Sequence, residues 1–181
     1  MTESIHIKEI VIEPLTRANF ADFGDVIETE SAKHFPINDG RVERYHDLAS
    51  VQLGGENSRA LINIFECNVA NQFPYQLPLV ERHPIGSQAF IPLTPIKFVV
   101  VVGKAGDHPQ PEDLRAFESN GYQGINYHQG VWHMPLVADE TGLRFLVVDR
   151  GGDGDNCDEE GYPDDQRIMI VRQPNQVNQS V

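Results

Sequence analysis

The sequence predicts an all-β protein, a β-sandwich or jelly-roll barrel with two short helices at its periphery. Three observations carry this. Short runs rich in Val, Ile, Phe and Leu recur along the chain. Turn signals separate them at Asn38-Asp39-Gly40, Gly54-Gly55, Pro84-Ile85-Gly86, Thr94-Pro95 and residues 103–107. One run, residues 97–102, is continuously apolar after its lysine, the pattern of a strand buried on both faces.

Taken in order, residues 5–13 alternate in strand fashion and end at Pro14. Residues 16–23 read as a short helix, with Thr16 as N-cap and Gly24 just past its end. The clearest strands follow at 61–65, 88–91, 97–102, 131–135, 144–148 and 168–171. A second short helix is expected over 111–117, with Pro111 in its first turn. No linker or internal repeat divides the chain, so residues 1–172 read as one domain and 173–181 as a polar tail.

The 181 residues are enough to bury a continuous core, and 40% hydrophobic with 23% charged residues is a globular rather than a disordered composition. The formal charge of −13 repels phosphate backbones and anionic headgroups, which argues against nucleic acid and membrane surfaces as partners. It also gives an anionic substrate no long-range attraction, so a carboxylate ligand would depend on local arginines. Cys67 and Cys157 are too few for a disulfide framework. Residues 1–14 carry charge throughout, unlike a signal segment, and the longest apolar run is too short to cross a bilayer. The expectation is a cytoplasmic enzyme with reduced thiols.

Two blocks carry the chemistry. The first reads Glu81-Arg82-His83-Pro84-Ile85-Gly86-Ser87-Gln88, the second Asn126-Tyr127-His128-Gln129-Gly130-Val131-Trp132-His133. Side chains at i and i+2 leave a strand on one face, so Glu81 and His83 can aim at one point. Gln88 and His133 could complete the ring from neighbouring strands, and two-residue counting puts Tyr127 on the face of His133. Imidazole nitrogen with carboxylate and amide oxygen suits Mn, Ni, Zn or Fe. The competing reading is that these groups hydrogen-bond across a barrel without a metal. Glu81 is the expected general base, its pKa raised toward neutrality by desolvation.

A second cluster is Arg44-Tyr45-His46-Asp47, in which Arg44 and His46 share a strand face. An arginine grips a carboxylate through two parallel N–H bonds. Arg44, His46, Gln88 and Lys97 are therefore the expected substrate-binding residues, although a rim lysine is the commoner outcome for Lys97. Arg82 should point away from the Glu81 face, and Trp132 reads as core or interface. Residues 153–165 read as a solvated acidic loop in which Cys157 has no nucleophilic role, and Ser87 lacks the glycine-framed elbow of a nucleophile.

The spacing Glu-x-His-x4-Gln, followed by Gly-x-x-His, resembles the two-part signature of the cupin superfamily. Glu81 stands where a histidine is usual, Gln88 where a glutamate is, and His128 where a proline is. The segments Val42-Glu43-Arg44-Tyr45-His46-Asp47-Leu48, Glu81-Arg82-His83-Pro84, Gln88-Ala89-Phe90-Ile91-Pro92, Gln123-Gly124-Ile125-Asn126-Tyr127-His128, Val131-Trp132-His133 and Val148-Asp149-Arg150-Gly151-Gly152 are similar to those of the ureidoglycolate lyase family, also known as ureidoglycolate hydrolase. The likeness runs over residues 10–171 in the same order.

That resemblance implies a cupin-type double-stranded β-helix and a homodimer. It implies a carbon–nitrogen lyase of the amidine-lyase type that splits (S)-ureidoglycolate into glyoxylate and urea during allantoin (purine) degradation. It further implies dependence on a divalent metal such as Ni2+, for which His83, His133, Glu81 and Gln88 are the ligand candidates. Glu81, His83, His133 and Tyr127 are then the catalytic candidates. Two alternatives stand beside it: a ureidoglycolate amidohydrolase releasing ammonia, and a non-catalytic cupin that binds a small acid.

Overall fold

A computed structural model describes residues 6–163 and 166–173. Its first strands are β1 (His6–Pro14), β2 (Gly24–Ile27), β3 (His34–Ile37), β4 (Val42–Tyr45), β5 (Arg59–Glu66), β6 (Tyr75–Gln76), β7 (Leu79–Arg82) and β8 (Gln88–Pro92). Then come β9 (Val99–Gly103), β10 (Arg115–Glu118), β11 (Gly124–Tyr127), β12 (Trp132–Val137), β13 (Arg144–Gly151), β14 (Asp158–Gly161) and β15 (Gln166–Val171). They form a long sheet, β14-β7-β12-β9-β10-β1-β15-β6, and a shorter one, β2-β11-β8-β13-β5. The hairpin β3–β4 pairs with neither.

The long sheet curls because β1 changes partner along its length. Residues His6 to Val11 pair with β15, and Ile12 to Pro14 pair with β10. This curl explains the continuous apolar run. Val100 and Val102 of β9 join Phe90, Phe117, Ile125, Phe145 and Val147 in the core between the two sheets. Val99 and Val101, on the other face, pack with Ile10, Ile12, Val80, Trp132, Ile168 and Ile170. Both faces of β9 are therefore covered, as an all-β, cupin-like barrel requires. Each fully buried ring, such as Phe90 or Phe145, contributes about 1.5–3 kcal/mol relative to exposure.

The helices are shorter than the sequence predicts. Thr16 does cap a helix, accepting from Asn19 N at 3.2 Å while Asn19 Oδ1 accepts from Thr16 N at 2.9 Å. That helix, α1, covers only Arg17–Phe20, and Gly24 opens β2 instead of following a longer helix. A Cβ on Gly24 would lie 2.0 Å from the Asn126 carbonyl oxygen, so only glycine lets β2 close on β11. The expected helix over 111–117 is a single 3-10 turn, Pro111–Asp113. Ala116 and Phe117 belong to β10, where pairing with both β9 and β1 overrides the local helix signal. Of the expected tail, residues 174–181 lie outside the described ones. Among the described residues no helix is long and apolar enough to cross a membrane.

Candidate active site

Each of the two chemical blocks crosses the barrel. β7 lies in the long sheet and β8 in the short one, and likewise β12 and β11. Glu81 and His133 are directly opposed on the β7–β12 pair. Gln88 and Tyr127 are directly opposed on the β8–β11 pair. The two pairs meet across the interior, where the Tyr127 and His133 rings stack with centroids 4.1 Å apart and planes 15° from parallel. This corrects the reading that Tyr127 and His133 leave one face of one strand. A turn at 128–130, with Gly130 at φ +78, separates them, and Gly130 N donates to His83 O at 2.9 Å.

The histidines are fixed by their backbone partners. His133 Nδ1 lies 2.9 Å from Val131 O, and His83 Nδ1 lies 2.6 Å from Asn156 O. A carbonyl can only accept, so each Nδ1 carries a proton, and in the neutral tautomer each Nε2 presents a bare lone pair. Both lone pairs face Glu81 Oε1, at 3.6 Å from His133 and 3.7 Å from His83. Both Nε2 atoms are buried without a hydrogen-bond partner, and so is Gln88 Oε1.

Electrostatics preserve this arrangement. Burial pushes the Glu81 carboxyl up, but in acid the facing His133 and His83 rings protonate, and the N–H of His133 and the positive charge of both rings outweigh burial and hold the carboxyl below its ordinary value. The expectation of a raised pKa is thereby corrected: Glu81 is ionised. Burial pushes His133 down and Glu81 only partly restores it, so the ring is neutral. Two imidazole lone pairs and a carboxylate oxygen thus converge in a largely buried wall, and among the described residues no donor meets either Nε2. Buried acceptors without donors are costly, and a cation or shared proton removes that cost. The donor set fits a borderline divalent cation, and Glu81, His83 and His133 lie close enough together to hold one.

Tyr127 is fully buried, and its hydroxyl donates to Pro135 O at 2.7 Å. Burial and the Glu81 charge push that phenol well above its ordinary pKa, so it stays protonated and serves as the wall on which His133 lies. Arg44 is exposed on β4, its guanidinium 5.8 Å from the Phe35 ring centroid, and His46 packs on the same ring at 5.6 Å. Both belong to the β3–β4 hairpin region, which pairs with neither of the two larger sheets. Lys97 precedes β9 with its side chain 65% exposed, 3.9 Å from Glu118 at the rim. Arg82 points away from the site as expected, bonding Asp158 at 2.8 Å and lying 4.9 Å from the Trp132 ring centroid. Ser87 Oγ accepts from Gln52 N at 2.8 Å, a structural bond.

Asn156, Cys157 and Glu159 escaped the sequence reading. The supposed solvated loop contains β14, which pairs with β7 and sets Glu159 directly opposite Glu81. Asn156 holds His83 through its carbonyl and accepts from Ile85 N through its side chain at 3.0 Å. The only local signal was the alternation Cys157-Asp158-Glu159, which acidic residues of low strand propensity concealed.

A barrel of two facing sheets with two histidines and a carboxylate on its inner wall defines a cupin-like protein. The sequence model of the family described as Ureidoglycolate lyase matches residues 7–169. A ureidoglycolate lyase of Stutzerimonas stutzeri (strain A1501) is 49% identical over 95% of this chain and 99% of its own. Those of Pseudomonas syringae pv. syringae (strain B728a) and Pseudomonas entomophila (strain L48) are each 48% identical, over 93% and 94% of this chain and 98% and 100% of theirs. The chain belongs to the ureidoglycolate lyase family.

Proposed function

We propose that this protein is a ureidoglycolate lyase that cleaves ureidoglycolate to glyoxylate and urea. The observation that carries the reading is the convergence of His83 Nε2, His133 Nε2 and the ionised Glu81 on one buried point. Ureidoglycolate bears a hydroxyl and a ureido nitrogen on one carbon, next to a carboxylate. Taking the hydroxyl proton lets that carbon collapse to an aldehyde as the C–N bond breaks. The electron pair and a proton go to the ureido nitrogen, urea leaves, and no water is consumed.

Glu81 is the group assigned to accept the hydroxyl proton and return it to the leaving nitrogen. His83 and His133 orient the hydroxyl oxygen through their fixed Nε2 atoms or hold a cation against it. Gln88 faces them from the opposite wall, and Tyr127 keeps the His133 ring in plane. His83, His133 and Glu81, with Gln88 as a further oxygen donor, are the residues that would hold a divalent metal such as Ni2+. Such a metal would supply Lewis acidity, lowering the hydroxyl pKa and stabilising the oxyanion.

We also place the protein in the cytoplasm as a homodimer. Ile62 and Ile64 of β5 are 76% and 55% exposed, an apolar face a second copy would cover. Arg44 and His46, on a hairpin that pairs with neither sheet of its own chain, are assigned to a substrate carboxylate in the assembled dimer. Sedimentation at micromolar concentration should give a dimer; a strict monomer would remove the interface and the role of Arg44 together.

The reaction is tested by product counting. One urea and one glyoxylate per substrate, with activity lost on chelation and restored by Ni2+, is the expected result. Ammonia in place of urea would indicate an amidohydrolase, and saturable binding without turnover would indicate a sensor. Full activity in metal-stripped protein would remove the metal from the reading.

A further inference from the structure

Glu81 has two oxygens, and the candidate active site uses one. The second, Oε2, accepts from Cys157 Sγ at 4.0 Å. Glu159 stands directly opposite Glu81 in the β7–β14 ladder, and Cys157 immediately precedes β14. One ligand atom of each lies within 4.8 Å of the others. Two carboxylates directly opposite on paired strands repel each other. Behind them the buried His133 Nε2, 1% exposed at its side chain and unpartnered, also aims a lone pair at Glu81. Glu81 thus has electron-rich groups on both sides, and a positive charge on either side relieves them.

We propose that Glu81, Cys157 and Glu159 form an outer cation position for a thiophilic divalent cation such as Zn2+ or Cd2+, which inhibits the enzyme by engaging Glu81. Sulfur selects the softer cations, whereas the inner nitrogen–oxygen set takes harder ones as well. Binding replaces the Cys157 S–H bond with a sulfur–metal bond and releases one proton to solvent. The cation takes the Oε2 lone pairs and draws charge from the carboxylate, so Glu81 accepts a substrate proton less readily. The inference shares Glu81 with the proposed lyase site, but its readout does not depend on that site, which contains no sulfur.

The test is titration of the full chain with Cd2+, following the ultraviolet thiolate-to-cadmium charge-transfer band. A saturable band from one thiolate per chain is expected, absent in Cys157→Ser and retained in Cys67→Ser. Glu159→Gln should weaken the cadmium affinity at least about tenfold, as losing a ligand or its support does. His133→Asn should leave the band in place, whatever it does to turnover. Zn2+ should inhibit Cys157→Ser at least about tenfold less strongly than the wild type. The proposal is overturned if no band forms, if the band survives Cys157→Ser, if Glu159→Gln leaves affinity unchanged, or if Zn2+ inhibits Cys157→Ser as strongly as the wild type.

Discussion

Two of the molecule's histidine–glutamate pairs could hardly differ more. On the β3–β4 hairpin, His34 Nδ1 and Glu43 Oε1 are 2.6 Å apart, with side chains 56% and 41% exposed. In the barrel, His133 Nε2 and Glu81 Oε1 are 3.6 Å apart, with side chains 1% and 18% exposed. The shorter contact is the less consequential. Solvent screens the hairpin pair, and exposed pairs of this kind are worth about 0–1 kcal/mol. The barrel pair is largely buried and unbonded, since the only ring proton of neutral His133 is spent on Val131 O. What marks a site here is a buried group left unsatisfied, not a close contact.

The largest expected effect that sharpens this comparison is at Glu81. Losing a general base lowers turnover by ~10²–10⁴-fold, so Glu81→Gln should reduce kcat on that scale in steady-state assays. A Glu81→Gln protein with ordinary turnover would break the comparison.

Acid should affect the barrel pair next most strongly. His133 and Glu81 both have folded pKa values below their ordinary ones, so the unfolded chain binds protons that the folded chain refuses. Their stabilisation is present in full above about pH 6.5, where even an unfolded histidine is neutral. It declines as pH falls, through His133 first and then, below the ordinary carboxylate range, through Glu81. Melting temperatures of metal-free protein from pH 8 to pH 5 should fall more steeply in the wild type than in His133→Asn. Equal slopes would show that the His133 ring is not held neutral.

The smallest effect belongs to the hairpin. Glu43→Gln should change stability by less than about 1 kcal/mol in denaturant titration, with kcat unchanged. A larger loss would mean that the hairpin is covered in the working assembly, as the proposed homodimer allows.

Much of the site was legible in the chain. Glu81 and His83 are two apart, and the second block ends on His133, so their types and spacing announced a polar point in an all-β protein. Tyr127 shows the limit of that counting. It meets His133 not along one strand but across the barrel, because the turn at 128–130 sends β11 and β12 into different sheets. Period-two counting holds only while a strand continues, and one glycine at positive φ ends it. The second helix failed for a related reason. Residues 115–118 form a strand because β9 and β1 offer ladders on both sides, and strand pairing is decided by distant partners.

By itself the sequence determined the all-β class, the doubly buried run at β9, the Thr16 cap and the polar pair at Glu81 and His83. These follow from periodicity and local hydrogen bonding, which act over a few neighbouring residues. Only the tertiary structure decided that Asn156 fixes the His83 tautomer, that burial and facing rings leave Glu81 ionised, and that Cys157 and Glu159 flank its outer oxygen. Desolvation and Coulomb forces depend on distance and burial in three dimensions, and those are set by which strands pair, not by which residues are adjacent in the chain.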